Sequence, residues 1–252
     1  MRIMDKIHKN GKVVVADLAQ EFELSKPSIR LDLAELESRG LIERTHGGAI
    51  LKNVNSSRYI AIKNDLELRK EIYKEEKQRI GQAVVTNLIH DGDSIMIDGG
   101  STVYYVAKNI GMRRGLTIIT STLSLLPLMM DIPDAKLYLT GGLLHKEFED
   151  LIGDISVSTL RRFKTNYAIF GIDAISVNDG LFSTESSTAE IKKQMLASGA
   201  KSIVVADSSK FGNVSLCHVA ELEDIDFIVT DKNIPQEYVS QIKDAGVKLV
   251  IV

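Results

Sequence analysis

The sequence predicts two linked domains, a small winged helix-turn-helix followed by a larger α/β domain with a mainly parallel sheet. Three observations carry that expectation. The chain has 252 residues, which suits one small and one medium domain. Short helical stretches in the first fifty residues lead into two apolar runs flanking His46-Gly47-Gly48. Beyond residue 90, strands that are apolar throughout alternate with amphipathic helices, the pattern of a parallel sheet covered on both faces.

Within residues 1–53 the elements follow from local chemistry. Residues 2–9 read as a short helix stopped by Asn10-Gly11, and Val13–Val15 is a brief β-prone step. Asp17–Phe22 carries Leu18, Ala19 and Phe22 on one helical face. Glu23-Leu24 makes a tight turn. Ser25 is an N-cap, and Pro27 falls in the first turn of a helix running to about Ser38. Ile29, Leu33 and Leu36 form its inner face, and Gly40 closes it as a C-cap. The runs 41–45 and 49–51 then form a hairpin, the wing. This leaves the outer face of the third helix, with Lys26, Ser28 and Arg30, free to enter a groove.

Residues 54–74 are polar and weakly periodic and read as a linker, passing into a helix near Glu71 that continues to Ile89. The domain of residues 75–252 then alternates. Strands are expected at 94–97, 116–120, 136–140, 167–171, 202–207, 227–230 and 248–252. Helices are expected after Ser101, after Thr122, at 187–198 and at 236–245.

In open parallel sheets, ligands bind where the carboxyl ends of strands give way to loops. Four such ends carry small polar residues: Asp98-Gly99-Gly100-Ser101-Thr102, Thr120-Ser121-Thr122, Gly141-Gly142, and Asp207-Ser208-Ser209-Lys210. Glycines let a ligand approach the backbone, hydroxyls and free N–H groups at helix starts hold anions, and Lys210 adds a point charge. The four loops together favour a phosphate or carboxylate ligand over ordinary turns and caps. Glu185 and Glu190, with Lys192 near them, form either a catalytic set or the acidic start of a surface helix.

Composition narrows the function classes. Apolar residues make up 44% and charged residues 26%, as in a globular protein with a real core. The net charge of −3 conceals a surplus of three cations over residues 1–63 and a deficit of six over the remainder, which suits a head that meets phosphates. No apolar run is long enough for a membrane span, and the first dozen residues lack a secretory stretch, so a cytoplasmic location is expected. The single Cys217 excludes an internal disulfide framework, and its neighbour His218 does not make a thiol site of it. His8, His46, His90, His145 and His218 are scattered without ligand spacing, so no metal is expected. No nucleotide-binding fingerprint is present, and no cofactor is expected.

The segment LAQEFELSKPSIRLDLAELESRGLIERTHGGAI strongly resembles the N-terminal region of DeoR/GlpR-type bacterial transcriptional regulators. The remainder matches in order and spacing through SIMIDGGSTVYYVA, LTIITSTLSL, LYLTGG, IGDISVSTLRRF, FGIDAI, GLFSTESSTAEIKKQML, VVADSSKFG and DIDFIVTD. The resemblance implies a DNA-binding regulator of a sugar-catabolic operon, more often a repressor, acting on a double-stranded operator as a dimer or tetramer. It implies a body similar to ribose-5-phosphate isomerases, glucosamine-phosphate deaminases and CoA transferases, which senses a phosphorylated sugar without catalysis.

Carried over by position, the DNA-contacting residues are Lys26, Ser28, Arg30, Arg39, Arg44 and His46. The effector residues are Asp98, Gly99, Gly100, Ser101, Thr102, Thr120, Gly141, Gly142, Glu185 and Lys210. Two departures stand in the reading helix. Ser28 replaces a threonine and keeps the hydroxyl. Leu31 replaces the second of two paired arginines, which removes a contact of about 1–3 kcal/mol if that arginine read a base. The alternative is an isomerase- or deaminase-like enzyme with an appended head, using Glu185 and Asp173 as acid and base, but no paired Asp-x-His arrangement of the deaminase type is present.

Overall fold

A computed structural model of the chain describes residues 3, 6–7, 12–38, 42–45, 47–51 and 66–252. The chain divides into two compact units, Met1–Lys74 and Glu75–Val252.

In the first unit, strand β1 (Lys12–Val14) leads directly into helix α1 (Val15–Glu21), and a tight turn leads into α2 (Lys26–Ser38). The turn closes through the Leu24 N–H, which donates to the Ala19 carbonyl, with Glu23 at positive φ. The Ser28 N–H donates to Ser25 Oγ at 3.2 Å, so Ser25 caps α2 as its sequence position demands. The hairpin β2 (Ile42–Thr45) and β3 (Gly48–Leu51) follows, and the three strands form an antiparallel sheet in the order β1-β3-β2. The step expected at Val13–Val15 is thus a third strand of the wing, shifted by one residue. Glycine is required where it pairs, because a Cβ on Gly48 would lie 2.0 Å from the Val13 carbonyl oxygen. Ile3, Ile7, Leu18, Ile29, Leu33, Leu36, Ile42 and Ala49 are buried together as the core of this unit.

Helix α3 (Leu66–Glu71) is separated from α4 (Lys74–Asn87) by Tyr73, whose φ of 53° breaks the helical path. The sequence reading left 54–74 as a linker and began the helix near Glu71; residues 66–71 of that linker are instead helical, and its residues 54–65 lie outside the described residues. No proline or glycine marks the break before α4.

The second unit is built on β4 (Ser94–Ile97), α5 (Ser101–Ile110), β5 (Thr117–Thr120), α6 (Leu126–Met129), β6 (Lys136–Leu139), β7 (Leu143–His145), β8 (Asp150–Ile152) and α7 (Asp154–Arg161). It continues with β9 (Thr165–Gly171), β10 (Ala174–Ser176), β11 (Gly180–Ser183), α8 (Ser186–Ser198), β12 (Gly199–Val205), β13 (Cys217–Ala220), β14 (Phe227–Thr230), α9 (Gln236–Asp244) and β15 (Lys248–Ile251). Seven strands form one parallel sheet in the order β15-β14-β12-β9-β4-β5-β6.

Both faces of its central strands are buried, which is why those strands read as apolar runs without alternation, while the edge strand β6 is largely exposed. Ile95, Ile97, Ile169, Ile203 and Val205 pack on one face with Ile80, Val103 and Val106 of the helices. Met96, Ala168, Phe170 and Val204 pack on the other with Met195, Val239 and Ile242.

The β7–β8 hairpin, the small antiparallel sheet β10-β11-β13 and helix α7 were not anticipated. Their strands are only three or four residues long, too short for a periodic signal. The strand expected at 202–207 runs instead from Gly199 to Val205, leaving Ala206 and Asp207 in the following loop.

From β4 the chain winds outward through β5 to β6, then returns to place β9 on the opposite side of β4. The strand order therefore reverses between β4 and β9. The connections that leave their carboxyl ends therefore run to opposite sides, the place where open parallel sheets bind ligands.

Candidate functional site

In the first unit, Lys26 and Arg30 stand one helical turn apart on α2 and are exposed. Ser28 is half-buried, with its Oγ 2.8 Å from Ser25 Oγ, so the hydroxyl expected to face DNA also completes the cap. Arg44 on β2 is tied to α2: its N–H donates to Glu37 Oε1 at 3.1 Å, and its guanidinium lies 4.0 Å from Glu37 Oε2. Both side chains of that pair stay over 40% exposed, leaving the guanidinium open to a second anion. Arg39 and His46 lie outside the described residues.

In the second unit, the strand-end loops named from the sequence gather at one edge, each following a carboxyl end of the parallel sheet. Asp98 follows β4, Thr120 ends β5, Gly141 and Gly142 follow β6, and Lys210 lies past β12. Ser101 and Thr102 open α5 behind Gly100 and are buried. Glu185 differs from this set in its position in the fold: it is exposed, and it precedes α8 after an antiparallel strand rather than ending a parallel one.

The loops are tied to one another. Thr122 N–H donates to Thr120 Oγ1 at 3.0 Å, and Thr122 Oγ1 donates to Asp150 Oδ1 at 2.5 Å. Gly99 packs against that pair, because a Cβ there would lie 2.9 Å from Thr122 Oγ1 and 3.0 Å from Asp150 Oδ1. Beside Gly141 and Gly142, the Ser156 hydroxyl lies 2.7 Å from Thr140 Oγ1 and donates to the Leu151 carbonyl at 2.8 Å. At the end of β9, Asp173 Oδ2 accepts from the Thr184 N–H at 2.9 Å and its hydroxyl at 3.1 Å. That fixes the segment leading into α8.

A buried ion pair lies beneath these loops. Lys192 of α8 places its Nζ 2.9 Å from Asp98 Oδ2, and both side chains are at most 10% exposed. Burial alone would lower the Lys192 pKa. The nearby carboxylates of Asp98, then Asp173 and Asp150, outweigh burial and hold it above the usual lysine value. Asp98 is thus the direct partner of the ammonium, and Asp173 and Asp150 add to the negative field around it.

A second buried pair lies at the β12 end, where Lys77 Nζ of α4 is 3.8 Å from Asp207 Oδ2. Asp207 Oδ1 also accepts from the Ser209 N–H and hydroxyl, and Asp231 accepts from the Ser208 N–H at 2.6 Å. Lys210 is half-buried beside this network.

The sequence reading placed Lys192 and Asp173 near a site without assigning their partners, and it missed Lys77, Asp150 and Asp231. A signal for Lys77 existed. It shares a helical face with buried Ile80, Gly81 and Val84, so a lysine occupies an apolar-face position. Nothing local marks Asp150, which reaches the site only through the β7–β8 hairpin. Among the described residues, no group of His, Cys, Asp and Glu could hold a metal ion. No described helix is long and apolar enough to cross a membrane.

The chain matches the family model of the DeoR C terminal sensor domain over residues 72–232 and that of the DeoR-like helix-turn-helix domain over residues 1–60. It is 30% identical over 249 residues to the HTH-type transcriptional repressor GlcR of Bacillus subtilis, covering 99% of this chain and 93% of that one. It is 31% identical over 250 residues to the HTH-type transcriptional regulator GlpR of Haloferax volcanii, covering 99% and 95%. Among solved structures, ribose 5-phosphate isomerase A of Methanocaldococcus jannaschii aligns with a TM-score of 0.41 at 17% identity, over 55% of each chain.

Proposed function

The chain belongs to the DeoR family of DNA-binding transcriptional regulators, and from that premise we propose that a phosphorylated sugar at the strand-end loops sets its affinity for an operator. The gathering of four glycine- and hydroxyl-rich strand ends where the strand order reverses carries this reading. The N-terminus of α5, with Ser101 and Thr102 behind two glycines, offers backbone N–H groups and a positive helix end to a phosphate. Lys210, past the β12 end of the same sheet, supplies a cation. Asp98, Asp150 and Asp173 would repel a phosphate, so they suit the hydroxyl-bearing remainder of a sugar, accepting hydrogen bonds from it.

We read the site as binding without turnover. The carboxylates nearest Lys192 are already engaged: Asp98 by Lys192, Asp150 by Thr122 and Asp173 by Thr184. No paired Asp-x-His arrangement of the deaminase type stands among them to act as acid and base. The protein's role is repression of a sugar-catabolic operon, as a homo-oligomer whose two heads meet two half-sites.

A ligand can shift DNA affinity only by its differential affinity for two states of the protein, typically about 1–3 kcal/mol. The test has two stages. A thermal-shift panel of sugar phosphates identifies the ligand, since one present at 100 times its dissociation constant stabilises by about 2.7 kcal/mol. Anisotropy on operator duplex with and without that ligand then reads about a 5- to 150-fold change in affinity. A panel in which no sugar phosphate stabilises the protein refutes the sensor reading, and turnover of ribose 5-phosphate or glucosamine 6-phosphate refutes the non-catalytic one.

A further inference from the structure

Helix α2 presents an apolar side chain at the centre of its outer face. Ile29, Leu33 and Leu36 are fully buried and define the inner face, whereas Leu31 is 72% exposed. By helical spacing, Leu31 lies opposite that buried stripe, one turn beyond exposed Pro27. Lys26 and Arg30 fall on one flank of it, Asp32 and Glu35 on the other, and all four are exposed.

A single exposed leucine is ordinary on a protein surface. This one occupies the N-terminal half of the second helix of a helix-turn-helix, the stretch that reaches base edges in the major groove. Leucine neither donates nor accepts a hydrogen bond, so it gains nothing from guanine, adenine or cytosine edges, nor from phosphate. Among the base edges of the major groove, the C5-methyl of thymine is the apolar feature. The cationic flank of Lys26 and Arg30 suits the phosphate backbone at the groove wall, and this charge asymmetry turns the helix so that Leu31 faces the floor.

We propose that Leu31 is a specificity-determining residue that packs on a thymine methyl group in each operator half-site. The inference rests on the reading of α2 as the DNA-reading helix. It goes further by naming the base feature that this chain recognises.

The test starts from the full-length protein and a random duplex library. Recovered sites are expected to share a thymine at one fixed position in each half-site. Replacing that thymine by deoxyuridine removes only the methyl group and is expected to weaken binding about fourfold per half-site. Leu31→Ala, a change that favours helix at an exposed position, is expected to bind thymine and uracil duplexes equally. Leu31→Arg is expected to select a different base at that position, and circular dichroism of both variants checks that the helix persists. Recovered duplex with no methyl dependence at any position overturns the inference alone, as does methyl dependence that survives in Leu31→Ala. Recovery of no enriched duplex overturns it together with the DNA-reading role of α2.

Discussion

Lys192 Nζ lies 2.9 Å from Asp98 Oδ2 beneath the strand-end loops, joining helix α8 to the carboxyl end of the central strand β4. Asp173 and Asp150 add to the negative field on the same ammonium, so carboxylates from segments far apart in the chain act on one cation. Burying charges costs several kcal/mol per ion before any attraction is counted, so the cluster is better explained by what it positions than by stability alone.

Removal of the cation leaves buried carboxylates without compensation. Lys192→Met is expected to destabilise the protein by about 3–5 kcal/mol, measured as a lower urea midpoint at pH 7. Adding Asp98→Asn removes one of the stranded charges and is expected to recover part of the loss. Equal stability of Lys192→Met and the parent chain would show that the pair is not coupled to folding.

The same cation sets an alkaline limit. Its folded pKa is raised above the ordinary lysine value of 10.5, so its contribution is fully present below about pH 10.5 and is lost as pH rises through the folded value. Other groups titrate there as well, including Tyr167, which burial and then Asp93 push upward. The difference between parent and Lys192→Met isolates the lysine. That difference in urea midpoint is expected to be constant between pH 7 and 9 and to shrink above pH 10.5, and a difference that grows in that range contradicts the assignment.

Gly99 reports on the closeness of the loops. A methyl group there meets Thr122 Oγ1 and Asp150 Oδ1 inside ordinary contact distance, and those two atoms are hydrogen-bonded to each other. Gly99→Ala is therefore expected to cost about 1–3 kcal/mol through overpacking and to abolish stabilisation by a sugar phosphate in thermal-shift assays. DNA binding without ligand should survive, because the first unit has its own core. A variant that keeps full ligand stabilisation would place the ligand elsewhere.

Arg30 separates backbone contact from base reading. With Arg30 on the phosphate backbone, Arg30→Ala is expected to weaken binding to all duplexes alike and to reduce the slope of log affinity against log salt by about 1. A nearly unchanged salt slope with sequence preference relaxed at one position would instead put Arg30 on a base. Anisotropy titrations across a salt series distinguish the two.

The main elements were legible where periodicity was long or local chemistry strict. Ser25 announced a capped helix start and the hydroxyl caps it, and the stripe Ile29, Leu33 and Leu36 announced a buried face with no exposed atom among the three. The uninterrupted apolar runs around Ile95 and Ile203 announced strands covered on both sides. The break at Tyr73 and the β7–β8 hairpin were not legible, since neither carries a turn residue or a period long enough to count.

The division has a physical cause. Caps, turns, helical faces and apolar strands are decided among residues a few positions apart, so the sequence by itself determined the winged head, the parallel sheet and the glycine- and hydroxyl-rich loops at its carboxyl edge. Charge partnerships are decided by where the chain returns in space. Lys77 reads as a lysine on an apolar helical face without a partner in sequence until β12 brings Asp207 to it, and nothing marks Asp150 until the fold brings Thr122 to it. Only the tertiary structure decided which carboxylates share Lys192, because desolvation and Coulomb attraction act over ångströms in space and not along the chain.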